Sequence, residues 1–162
     1  MNKHLKLGLL GRLLVGAILA NWLYSTKTPT DADHEDVHYH AGFKVYIDGQ
    51  LQDYSDYKYM NFVPCTEHNV KKSPAEEQIE LAHLHDGVGD VVHAHRSGAK
   101  WGDLFKNIGV KLSGEVPELD QPIAPDSSIV ITIGKQVDNP ERVTIEHIKE
   151  VEAKSELCGS GE

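Results

Sequence analysis

Cysteine is scarce in this chain of 162 residues, which contains only Cys65 and Cys158. The two residues are far apart in the sequence and form no Cys-x-x-Cys motif, so the usual spacing of a redox-active pair is absent. In an oxidising compartment two such thiols most often pair, and closing so long a loop would contribute roughly 4–5 kcal/mol on the chain-entropy model. We therefore predict a structural disulfide, with two unpaired thiols as the alternative.

Basic residues are also few. The 16 lysines and arginines are outnumbered by 25 acidic residues, which gives a formal net charge of −9. Binding to nucleic acid requires clustered Lys and Arg to neutralise phosphates, and no basic stripe occurs. Nucleic acid is therefore excluded as a partner, and the sequence identifies no protein partner. It also contains no phosphate-binding loop, no Ser-His-Asp arrangement and no paired catalytic carboxylates, so no catalytic residue is assigned.

Long apolar runs are confined to the N-terminus. Residues 7–24 are mostly apolar, with basic residues on their N-terminal side. A transmembrane helix needs about 20 apolar residues, and flanking basic residues remain on the cytoplasmic side. We predict a single-pass cell-membrane protein whose C-terminal domain lies outside the cytoplasm, and whose membrane contact is the N-terminal helix. A cleaved signal peptide is the alternative, and it exports the same domain. The predicted regions are an anchor over 1–27, a tether over 28–36, a His-rich domain over 37–158 and a tail over 159–162.

The exported domain is predicted to be a small β-rich α+β domain with one or two short helices. Val37 to Asp48 alternates between apolar and other residues, which is typical of a half-buried strand, and Asp48-Gly49 indicates a hairpin turn. We predict further strands over 51–57 and 128–133, a segment compatible with a strand over 57–63, a loop over 71–77, and helices over 101–109 and 141–157.

Histidine is the residue type in excess: there are ten, and six of them form three His-x-His pairs. We predict that residues 78–95 form a hairpin folded about Val88. This register places His83 opposite His93, and all four histidines of these two pairs project from one face. Directly opposed residues have Cβ atoms about 4.5–5.5 Å apart, which suits two imidazoles bound to one ion at about 2.0–2.1 Å per bond.

The histidine pairs predict a transition-metal site. Imidazole-rich sites select zinc, copper, nickel or iron over magnesium and calcium, and we expect zinc or copper first, with iron or nickel as alternatives. Two nearby carboxylates, Asp86 and Asp90, are candidates for orienting imidazole N–H groups, although turn chemistry alone would explain both. The paired histidines of β-strand 37–48 are weaker candidates because they lie opposite that strand's apolar stripe. The predicted ligands are His83, His85, His93 and His95, followed by His38 and His40.

The stretch from His38 to Gly109 resembles a family of uncharacterised, membrane-anchored bacterial and archaeal proteins rich in His-x-His pairs. The ending Ser155-Glu156-Leu157-Cys158 is similar to the family's Ser-x-x-Cys ending. The resemblance groups the three histidine pairs together but implies no mechanism. Some members carry the name protein disulfide isomerase, which the distant cysteines of this chain support poorly. The motifs that carry the resemblance are His38-Tyr39-His40-Ala41, Val45-Tyr46-Ile47-Asp48-Gly49, His83-Leu84-His85-Asp86-Gly87, Val91-Val92-His93-Ala94-His95 and Trp101-Gly102-Asp103-Leu104-Phe105.

Three functions are compatible with these features. The first is an extracytoplasmic transition-metal-binding protein that sequesters, delivers or is structurally stabilised by its ion. The second is a metalloenzyme, which would require an open coordination position on the ion. The third is a thiol–disulfide oxidoreductase that uses Cys65 and Cys158. The number of histidines that share one ion distinguishes the metal-binding protein from the metalloenzyme, because four would close the site and three would leave a position open. The sequence does not give this number.

Overall fold

A computed structural model describes residues 35–62 and 72–155 of the chain. The predicted anchor, nearly all of the tether, and both Cys65 and Cys158 lie outside the described residues. No helix in the described ranges has both the length and the apolar character needed to cross a bilayer. The described residues fall almost entirely within the predicted domain of residues 37–158.

The domain is a small α+β fold built on a mixed sheet of four strands. The first strand, β1, is central: it pairs antiparallel with β2 and β3, and parallel with β4. In the described part of the chain, three α-helices, where one or two were predicted, and two short 3₁₀ helices, Tyr57–Tyr59 and Pro117–Asp120, connect or cover the strands. The strands are β1 (Asp36–Ile47), β2 (Gln50–Leu51), β3 (Val91–Arg96) and β4 (Ser128–Ile133), and the helices are α1 (Pro74–Leu81), α2 (Trp101–Asn107) and α3 (Ile145–Lys154).

One face of β1 carries the main apolar core, as its alternating sequence predicts. Phe43 and Val45 are each 1% exposed, and both belong to a cluster that includes Trp101 and Phe105 of α2. Aromatic rings contribute much of this packing, because they bury large apolar areas. The predicted strand at 128–133 and the predicted short helix beginning at Trp101 are both confirmed, and Ile131 of the strand and Trp101 of the helix both belong to this core.

The other face of β1 is covered by α3. Val143, Ile148 and Val91 form a second buried apolar cluster on this side of the sheet. The approach is possible because Gly42 has no side chain: a Cβ there would lie 2.4 Å from the Cβ of Val143. α3 therefore packs across the same face of β1 from which His38 and His40 project.

The prediction of a loop over 71–77 and of a strand arm beginning at residue 78 is wrong, because residues 74–81 form helix α1. The helix begins at a capping box, in which the Ser73 hydroxyl accepts from the Glu76 amide and the Glu76 carboxylate accepts from the Ser73 amide. This arrangement satisfies two amides that otherwise lack intrahelical partners, and Pro74 at the first helical position adds a preset φ angle.

Two further predicted elements differ from the structure. The strand expected over 57–63 is wrong for its described part: residues 57–59 form a 3₁₀ helix, and Met60 makes only an isolated bridge to Leu84. The predicted helix over 141–157 begins later, because Thr144 caps α3 by accepting from the His147 amide. The hairpin turn at Asp48-Gly49 is present, with both residues at positive φ, but β2 is only two residues long.

Candidate metal centre

The register of β1 and β3 brings two histidine pairs to one face of the sheet. His40 lies directly opposite His93, and Tyr39 lies opposite Ala94. Opposed residues project to the same side of a sheet, so the histidines share one side while their neighbours Tyr39 and Ala94 share the other. The side that carries Tyr39 and Ala94 is the apolar core. The histidines therefore gather on the opposite side, beneath α3.

The third pair joins the other edge of β3. His83 and His93 exchange both backbone hydrogen bonds, with N–O distances of 3.0 and 2.9 Å. The predicted opposition of these two residues is confirmed, although it is a single bridge that follows a helix and not a continuous strand. Leu84, which lies between His83 and His85 in the sequence, faces the apolar core and is 0% exposed. Consequently His83 and His85 project toward the same side as His93.

All six paired histidines thus form one group, which we call the His cluster: His38, His40, His83, His85, His93 and His95. Two imidazoles bound to one tetrahedral ion at about 2.0–2.1 Å per bond have ring centres about 5 Å apart. The ring centres of His38 and His95 are 4.9 Å apart, and those of His83 and His95 are 5.2 Å apart. One nitrogen each from His38, His93 and His95 lie within 4.8 Å of one another, so this triad could hold a metal ion.

Five members of the His cluster are buried, and His38 is exposed. Burial is the largest cause of the pKa shifts of the buried imidazoles. It lowers the pKa of His40 and of His83 to about 4. Burial, followed by the neighbouring imidazoles, also lowers the pKa of His93 and of His95. These side chains are therefore neutral at physiological pH, which is the form that binds a metal ion.

Hydrogen bonds orient two of the buried rings. His83 donates from Nδ1 to the carbonyl of Ile79 at 3.1 Å, which leaves the lone pair on Nε2. Nδ1 of His85 lies 2.6 Å from the carboxylate of Asp86. A carbonyl or carboxylate in this position fixes the tautomer of a ligating histidine and raises its basicity. The other predicted orienting residue, Asp90, lies instead against Lys44 and His147, which are outside the His cluster.

Several ring nitrogens of the cluster lack a hydrogen-bonding partner among the described residues: both nitrogens of His40, and Nε2 of His83. An unsatisfied polar group in a buried position costs about 1–3 kcal/mol, so such groups normally have a partner. A metal ion would provide that partner for the nitrogen of each ring that carries the lone pair. The donor set therefore fits a transition-metal ion in both its chemistry and its unsatisfied lone pairs.

Helix α3 brings two further polar groups to the cluster that sequence reasoning missed. Oε1 of Glu152 lies 3.9 Å from Nδ1 of His40, and the Ser155 hydroxyl lies 3.4 Å from Nε2 of His85. Ser155 belongs to the Ser-x-x-Cys ending that carries the resemblance, but nothing in the local sequence places it or Glu152 at the cluster, because their placement depends on how α3 packs over Gly42. By contrast, the grouping of all three histidine pairs has a signal in the sequence, since the histidines of both β1 and β3 alternate with apolar residues.

Comparison with protein-family models, curated proteins and solved structures finds no significant match for this chain.

Proposed function

We propose that this chain is a membrane-anchored, extracytoplasmic protein that binds a transition-metal ion through its His cluster. Zinc and copper are the proposed ions, because both accept several imidazole ligands. The compartment and the anchor rest on the basic and apolar pattern of residues 1–27. The observation that carries the proposal is the convergence of six imidazoles, five of them buried, on one face of the sheet.

The cluster is poorly explained as a packing feature alone. Its interior consists of polar rings placed where two apolar clusters flank them, and burying polar groups without partners is unfavourable. Two of the unsatisfied nitrogens belong to His40, which is 1% exposed. Neutral imidazoles whose nitrogens lie close together, as those of His38, His93 and His95 do, are, however, the arrangement that a metal ion stabilises.

The proposal is tested by metal titration of the full chain, purified in detergent and treated with a chelator. His95→Ala should weaken Zn²⁺ or Cu²⁺ binding by at least about tenfold, because it removes one member of the triad. His147→Ala is the matched control: His147 is a partly exposed histidine of α3 that contacts Asp90. Equal binding by the two variants, or no binding by the unmodified chain, would contradict the proposal.

A metalloenzyme is the second candidate, and the exposure of His38 favours it. Three protein ligands leave a fourth position open on a tetrahedral ion, and an exposed ligand places that position near solvent. Asp86, which contacts His85, also lines an open groove with Tyr57, Phe62 and Val151, where a small molecule could lie beside the cluster. Binding of azide to the Co²⁺-loaded protein, followed by its visible spectrum, distinguishes an open position from a closed set of four histidines.

A further inference from the structure

Strand β4 forms an edge of the sheet that is open among the described residues. It pairs with β1 on one side, and no backbone hydrogen bond from a described residue reaches its other side. We propose that this edge pairs with the same edge of a second copy of the chain, so that two copies form a dimer through β4. The metal site plays no part in this pairing.

The register of β4 on β1 determines which backbone groups face the open edge. The Gly42 amide donates to the Ser127 carbonyl, and the Asp48 amide donates to the Ile133 carbonyl, each at 2.8 Å. In a parallel pair, one residue directs both backbone groups toward the neighbouring strand and the next directs both away from it. The odd-numbered residues of β4 therefore bond β1. The residues that direct both groups to the open edge are Ser128, Val130 and Thr132.

β4 lacks the features that usually keep an edge strand from pairing. Charged side chains, proline, a bulge or a very short strand normally protect an open edge. β4 has six residues, none of them charged and none a proline, and its register on β1 has no shift. By contrast, β2 has only two residues. The open edge of β4 is therefore suited to pair with another extended strand.

The sequence of β4 indicates that this strand is a second copy of β4. Ile129 and Ile131 flank Val130, and the hydroxyl residues Ser128 and Thr132 flank the isoleucines, so the segment reads alike in both directions. An antiparallel pair centred on Val130 sets Ile129 opposite Ile131 of the second copy. All the outward backbone groups then find partners, in about six hydrogen bonds. Both copies use the same surface, as a two-fold dimer requires.

The strand also retains apolar surface that a second copy would cover. Ile131 is buried, whereas the other residues of β4 are only partly buried. Val130 lies opposite Lys44 in the register, so its side chain projects away from the main apolar core. At the two-fold axis Val130 meets Val130 of the second copy, and β-branched residues form favourable cross-strand pairs.

One outward group already has a side-chain contact that the pairing can accommodate. The Ser128 carbonyl accepts from the Arg142 guanidinium at 2.9 Å. A carbonyl oxygen has two lone pairs, so it can also accept from the Thr132 amide of the second copy. Arg142 is exposed, which leaves its side chain free to turn away from the edge.

The test is the mass of the full chain in detergent, measured by sedimentation equilibrium with chelator present so that no metal ion joins two copies. We expect a dimer for the unmodified chain. Val130→Lys and Val130→Glu should each weaken dimerisation by at least about tenfold, because each places like charges opposite each other at the two-fold axis. An equal mixture of the two variants should dimerise again, because the opposed charges are then of opposite sign.

Ser113→Lys is the matched control, because Ser113 is exposed and lies outside the strands. This variant should dimerise as the unmodified chain does. A dimer that persists in Val130→Lys would overturn the proposal, since the contact would then lie elsewhere, for example in the predicted anchor. A mixture of the Lys and Glu variants that stays monomeric would overturn the pairing centred on Val130.

Hydrogen exchange of the unmodified chain provides a readout that needs no variant. The amides of Val130 and Thr132 should be protected in the dimer and should exchange faster after dilution to the monomer. A monomeric chain in which both amides are protected would overturn the proposal, because another segment of the same chain would then cover the edge. A monomeric chain in which both exchange freely would overturn it as well.

Discussion

His40 and His93 lie directly opposite each other on β1 and β3, with ring centres 3.7 Å apart and ring planes nearly perpendicular. His93 also pairs through its backbone with His83 on its other side. It therefore connects histidine pairs that are distant in the sequence. His93 belongs to one histidine pair and contacts a member of each of the other two. The three pairs therefore form one cluster, and a substitution in one pair should affect the others.

Acid should destabilise the metal-free protein. Burial lowers the pKa of His40 and of His83 to about 4, whereas an unfolded histidine titrates near 6.5. Between these values the unfolded state binds more protons, so the free energy of unfolding falls as the pH falls from about 6.5 to about 4. Each such histidine contributes about 1.4 kcal/mol per pH unit in this range. Urea denaturation at several pH values, with chelator present, measures the slope. A free energy that stays constant over this range would show that the imidazoles are not held neutral.

Metal should stabilise the folded protein at neutral pH. An ion that binds only the native state raises the free energy of unfolding by about 2.7 kcal/mol at a hundredfold excess over the dissociation constant. The gain should shrink below about pH 6, because protons compete with the metal for each imidazole. Thermal melts with and without Zn²⁺, at neutral pH and below about pH 6, measure this dependence. Chelator should reverse the gain, and a melting temperature unaffected by either Zn²⁺ or Cu²⁺ at neutral pH would rule out a preformed site for these ions.

The disulfide between Cys65 and Cys158 remains a prediction. Both cysteines lie outside the described residues. Non-reducing mass spectrometry of the exported protein should recover the two cysteine peptides linked, and reduction should lower the melting temperature. Recovery of both thiols in alkylated form would refute the disulfide and favour the oxidoreductase hypothesis.

Gly42→Ala should destabilise the fold through α3. The new Cβ would lie 2.4 Å from the Cβ of Val143, so the segment that leads into α3 must move away from β1. Overpacking of this kind typically costs about 1–3 kcal/mol. Urea denaturation of both single variants and of Gly42→Ala/Val143→Gly provides a double-mutant cycle, because the second change removes the clashing atom. The double variant should lose less stability than the two single variants combined, and simple additivity would show that no clash occurs.

Local periodicity accounts for the elements that the sequence predicts correctly. β1 alternates over its whole length, α2 carries Trp101, Leu104 and Phe105 on one stripe, and β4 is a short apolar run. Each signal depends only on neighbouring residues. The opposition of His83 and His93 also follows from a local turn, which is why it was predictable without knowledge of the fold.

Other features depend on information that a short window does not contain. The alternation of Ile79, Leu81 and His83 mimics a strand, and only the capping box at Ser73 indicates the helix that residues 74–81 adopt. The pairing of β1 with β3 joins residues about 50 positions apart, so the sequence did not reveal that His40 lies opposite His93. For this reason His38 and His40 were ranked below the other histidines as ligands. The approach of Glu152 depends on packing between a helix and a sheet.

One face of β1 carries the apolar core and the other carries histidines of the His cluster, so the ligands can be substituted without changing the core. The side chains that build the apolar core point away from the His cluster, although they alternate with its members along the same strand. Replacing the exposed His38 with a softer donor such as Cys or Met would change the ion that is preferred while leaving Tyr39 and its packing in place. Metal preference can therefore be altered one side chain at a time without redesigning the scaffold that presents it.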